Sequence, residues 1–92
     1  MTEKEQSSNF YAVVPGSVRY DAHLGAGPKV LYAEISALVN YHGVCTHSNQ
    51  YFVDALGMDK GYVAEWLVQL EGRGHIEIRK TQERREIRTP MT

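Results

Sequence analysis

Cysteine is nearly absent from the 92 residues: Cys45 stands alone, so no internal disulfide can form. A single thiol suits a reducing compartment and is expected to be buried rather than reactive. No apolar run approaches the roughly 18 residues that a membrane span needs. The opening Met1-Thr2-Glu3-Lys4-Glu5 lacks the apolar core of a secretion signal. The expectation is a soluble, cytoplasmic domain with no membrane partner. Equally missing are a nucleophile with a base, paired carboxylates and a glycine-rich phosphate loop, so neither an enzyme nor a cofactor is expected. His42, Cys45 and His47 lie close together, but a fourth ligand at a suitable spacing is lacking, and no metal site is expected there.

At this length one small domain is expected, with a core burying only roughly 60 to 65% of the surface of the unfolded chain. Net charge is close to balanced, at −1, yet the balance conceals an asymmetry. Residues 1–71 carry Lys4, Arg19, Lys29 and Lys60 against eight acidic groups. Residues 72–92 reverse this, with Arg73, Arg79, Lys80, Arg84, Arg85 and Arg88 against Glu77, Glu83 and Glu86. A partner feels local potential, so an acidic body with a basic tail matters more than the sum.

Residues 1–9 hold no apolar residue after Met1 and read as a disordered arm; 10–90 read as the folded domain. Phe10 to Val14 is a short aromatic and β-branched run stopped by Pro15-Gly16, the pattern of a brief strand entering a turn. Gly25-Ala26-Gly27-Pro28 opens a helix, because proline is tolerated in a first turn. Leu31, Ile35 and Leu38 continue its stripe to an end near His42-Gly43. Ser48 or Asn49 caps a second helix with Phe52, Ala55 and Leu56 on its apolar face. Gly57 supplies a turn with φ > 0, and Asp59 caps a third helix. Its buried positions are expected at Tyr62 or Val63, Trp66, Leu67 and Leu70, with Gly72 and Gly74 ending it. His75–Lys80 and Glu86-Ile87-Arg88 alternate as two strands around a polar loop.

Strand, three helices and a hairpin in this order predict an α+β winged helix-turn-helix. The fixed apolar and glycine offsets of such a unit fall at Phe52, Val53, Leu56, Gly57, Met58, Val63 and Trp66. Only Val53 departs, where a smaller alanine would let the helices approach more closely.

The stretch "FYAVVPGSVRYDAHLGAGPKVLYAEISALVNYHGVCTHSNQYF" followed by "LGMDKGYVAEWLVQLEGRGHIEI" resembles the N-terminal winged helix-turn-helix domain of plasmid replication initiators and phage replisome organisers related to DnaD. The resemblance runs from about Phe10 to Arg88. It implies binding to origin DNA, with a further C-terminal region in family members that meets other replication proteins. On that comparison the chain is an isolated domain or a short protein keeping only this fold. The third helix departs from the family, whose members have a start rich in Ser, Lys, Arg and Thr and an Arg or Ser before the Trp.

Two functions follow. A helix in the major groove reads bases with Arg, Lys, Asn or Gln and holds phosphates with basic or hydroxyl groups. Lys60 and Gln69 remain on the third helix, and Arg79, Lys80, Arg84, Arg85 and Arg88 on the hairpin, for double-stranded DNA. Glu65 opposes a phosphate there, although a carboxylate can accept from a cytosine amino group. The alternative is a protein-binding module from a mobile element, such as a phage-encoded anti-CRISPR inhibitor. Its contact would be Tyr62, Ala64 and Glu65 if Tyr62 points outward; if it points inward it is packing. A homodimer is left open.

Overall fold

A computed structural model describes residues 12–90. The arm expected over residues 1–9 lies outside this range, as does Phe10. Helix α1 spans Gly16–Arg19, α2 Ala26–His42, α3 Asn49–Leu56 and α4 Lys60–Gly72. Strands β1, Glu77–Lys80, and β2, Arg85–Arg88, pair antiparallel with Ile78 opposite Ile87. The domain is therefore a small α+β fold of four helices and a two-stranded hairpin among the described residues.

The local chemistry accounts for the boundaries. Gly43 and Gly57 close α2 and α3 with φ of 87° and 66°, where a Cβ would strain the backbone. Ser48 caps α3 by accepting from Tyr51 N–H, and Asp59 caps α4 by accepting from Gly61 N–H. Apolar side chains from each of α1 to α4 then meet β2: Val18, Leu31, Ile35, Leu38, Phe52, Val63, Leu70 and Ile87 are all at most 1% exposed. Cys45 is buried with them and bridges the backbone of Ile87 in both directions, at 2.9 and 2.8 Å. That bridge fixes the hairpin to the loop before α3.

Three expectations are corrected. Ala12 to Val14, the described part of the expected N-terminal strand, forms no strand; Val13 N–H instead donates to the Ser36 hydroxyl at 3.0 Å. A fourth helix, the single turn α1, follows directly. Pro15 starts it with an extended backbone, its carbonyl accepting from Val18 and Arg19 N–H, and Val18 anchors it in the core. Trp66, expected in the core, is only half-buried at its margin. Its ring lies over Gly27, where a Cβ would come within 2.4 Å, and stacks on Tyr62 at 5.3 Å.

Candidate nucleic-acid interface

Helix α4 turns Val63, Leu67 and Leu70 inward, which fixes what it shows to solvent. At 3.6 residues per turn the outermost strip is Gly61, Glu65, Val68 and Gly72. Ala64 lies on one flank and Tyr62 on the other, 55% exposed, with Val68 at 70%. The question about Tyr62 thus resolves outward. Lys60 and Gln69 are nine positions apart, about half a turn out of phase, so they occupy opposite flanks. Gln69 is also half-buried. The two residues of α4 suited to base edges do not share a face, and the strip between them carries a carboxylate and a valine. Val68 was absent from the candidates, although its spacing of three from Glu65 placed it on the same face.

The hairpin cations divide into three groups. Arg84 and Arg88 both pair with Glu86, each at 2.9 Å. These guanidinium groups, Arg88 first, hold the Glu86 carboxyl below the usual carboxylate range. Arg85 is half-buried and donates to Asn49 Oδ1 at 2.7 Å and to the His47 carbonyl at 2.8 Å. It is a strut from β2 to the start of α3, and burial pulls its pKa down. Arg79 and Lys80 are exposed and have no acceptor among the described residues, and the same holds for Lys60.

A second polar cluster sits where α4 passes into the hairpin. The Asp21 carboxylate, 4% exposed, accepts from Arg73 Nε at 2.9 Å and faces His75 Nε2 at 2.8 Å. It also accepts from His23 N–H at 2.9 Å. Arg73 first, then His75, hold Asp21 well below the carboxylate range. Gly74, with φ of 82°, lies between the two partners, so the cluster fixes the angle at which the hairpin leaves α4.

Near the hairpin, His47 lies between His42 and Tyr51, with ring centroids 6.2 and 4.3 Å away. Its Nδ1 is buried with no hydrogen-bond partner among the described residues. Burial, then the neighbouring His42, lowers its pKa. Tyr51 OH donates to Glu34 at 2.7 Å, tying α3 to α2. Burial raises the Cys45 pKa and keeps the thiol protonated. His42, Cys45 and His47 form no group able to hold a metal among the described residues.

No helix among the described residues is long and apolar enough to cross a membrane. Compared with protein-family models, curated proteins and solved structures, the chain matches none of them.

Proposed function

We propose that the domain is a winged helix-turn-helix of the replication-initiator type that binds duplex DNA chiefly through phosphates, with little base readout. The observation that carries this reading is the anchored hairpin. The Cys45–Ile87 bridge and the Arg85 strut hold it beside the first turn of α3, with Arg79 and Lys80 left outward. A hairpin already held in place, with two cations left unpaired, suits a polyanion, because ordering it costs little on binding. The face of α4 supports the second half of the statement, since it offers Glu65 and Val68 where a base-reading helix offers amides or guanidinium groups.

Binding of the intact chain to random and candidate-origin duplexes at two salt concentrations tests the reading. Arg79→Ala together with Lys80→Ala should weaken binding to every sequence and flatten the salt dependence by about 0.9 per lost phosphate contact. Glu65→Arg should tighten it. No binding to any duplex at low salt sinks the proposal.

The exposure of Tyr62 and Val68 beside Ala64 and Glu65 favours a second reading, a protein-binding module of the inhibitor kind. Under it, Tyr62→Ala or Val68→Asp abolishes capture of a host protein while the fold persists, and the hairpin variants are silent.

A further inference from the structure

Between the hairpin and the start of α3 lies a cleft of about 490 Å³. This is within the roughly 300 to 1,000 Å³ range of small-molecule sites. Thr46, Ser48 and Asn49 line one wall, and Lys80, Arg84 and Arg85 the other. Arg85 is already held against the first wall, so the two sides are fixed relative to one another before any ligand arrives. Three kinds of donor converge there. Lys80 brings an ammonium group without an acceptor among the described residues, and Thr46 brings a hydroxyl in the same state. Asn49, first in α3, lines the cleft and has a backbone N–H that donates to no partner among the described residues. The one opposing charge in the lining is Glu83.

We propose that this cleft is a discrete seat for the phosphate of a phosphate ester, with Lys80 and the Thr46 hydroxyl as its principal side-chain donors. Phosphate is the ligand chemistry that uses all three donor kinds: it accepts several hydrogen bonds at once and carries the charge that Lys80 and the start of α3 attract. The volume leaves space for the sugar attached to it, and Glu83 at the wall can accept from a sugar hydroxyl. The ester is either a free nucleotide or a link of a nucleic-acid backbone. The backbone source rests on the duplex-binding reading above, and the free source does not.

The test follows backbone amide signals of the full chain by NMR at constant ionic strength. The probes are inorganic phosphate, a nucleoside monophosphate and a short duplex. Saturable shifts are expected at residues 46–50 and 80–85 with the first two probes. Lys80→Gln, an exposed change that leaves the fold intact, should weaken phosphate binding about tenfold, as for loss of one charged hydrogen bond. Thr46→Val should weaken it too, and Glu83→Gln should tighten it. Shifts spread evenly over Lys29, Lys60 and Arg79, or phosphate binding unchanged in Lys80→Gln, overturn the seat. A duplex that binds while leaving residues 46–50 unmoved also overturns it, although the duplex-binding reading survives. Phosphate and nucleotide binding in the cleft without duplex binding upholds the seat and removes that reading.

Discussion

Gly27→Ala should destabilise the domain even though alanine is the better helix former. In a helix interior the exchange favours the folded state by about 0.8 to 1 kcal/mol, and by less in a first turn such as this one. Against this, the new methyl group would stand 2.4 and 2.5 Å from two carbons of the Trp66 ring and 2.8 Å from a third. A rigid indole cannot yield by bending a flexible tip. It must swing outward, giving up its half-buried position and its stacking on Tyr62. Overpacking of this kind costs about 1 to 3 kcal/mol, so the net loss should be about 0 to 2 kcal/mol. The narrow net value makes a single variant a weak test, and a double-mutant cycle with Trp66→Leu a strong one. In the leucine background the ring is gone, and Gly27→Ala should then stabilise by up to about 1 kcal/mol. The coupling between the two sites should be about 1 to 3 kcal/mol, the size seen for residues in contact. Urea unfolding followed by far-ultraviolet circular dichroism gives all four corners without relying on the sole tryptophan. Its fluorescence in Gly27→Ala alone should shift to the red. If Gly27→Ala has the same sign and size in both backgrounds, the proximity of Gly27 and Trp66 is refuted.

Asp21 has a depressed folded-state pKa, so its contribution to stability is present above about pH 4 and lost as pH falls further. Thermal melts should show a steep acid limb in the native chain, and a flatter limb with a lower Tm at pH 7 in Asp21→Asn. His47 also has a depressed folded-state pKa, so stability should decline as pH falls below about 6.5, and His47→Gln should remove that decline. An unchanged profile in this variant would show that another group titrates. Cys45 should react with iodoacetamide only as fast as the domain opens, and labelling at the rate of a free thiol would contradict its burial.

Punctuation made most of the fold legible in the sequence. Gly43, Gly57, Ser48 and Asp59 act through their own backbone or the next few N–H groups, so their effect is read locally. The apolar stripes of α2 and α4 follow from period alone. Helix α1 was hidden because one turn is too short for a period, and Pro15-Gly16 suits a turn equally well. Trp66 was misplaced because its spacing from Val63 and Leu70 puts it only at the edge of the stripe. Size and apolarity drew it inward, while the space over Gly27 holds the ring at the margin. The Asp21 cluster joins residues 52 and 54 positions apart, a pairing with no local signature. For the candidate site, the basic hairpin was legible and the fate of each cation was not. Arg85 and Arg84 are neighbours of equal chemistry, yet Arg85, the first residue of β2, reaches α3, while Arg84, in the loop before it, reaches Glu86 two positions on.

That partition changes what the basic tail can do. Arg73 belongs to Asp21, Arg85 to Asn49 and His47, and Arg84 and Arg88 share Glu86. Arg79 and Lys80 remain of the hairpin cations, with Lys60 on α4 as a third outward charge. Three phosphate contacts correspond to a salt slope of about 2.7, well short of the slopes reached with 6 to 10 contacts. The pairs to Glu86 are exposed on the arginine side, at 53% and 43%, and such solvent-screened surface pairs are weak. A phosphate can therefore compete with Glu86 for either guanidinium, but it does so against a carboxylate that stays nearby and repels it. Under the duplex-binding proposal the hairpin would thus act as a modest electrostatic grip whose strength is set by Glu86 and by salt. Tight or site-selective attachment to nucleic acid then needs a second contribution, either from another binding unit acting at high effective concentration or from a partner seated on the exposed face of α4.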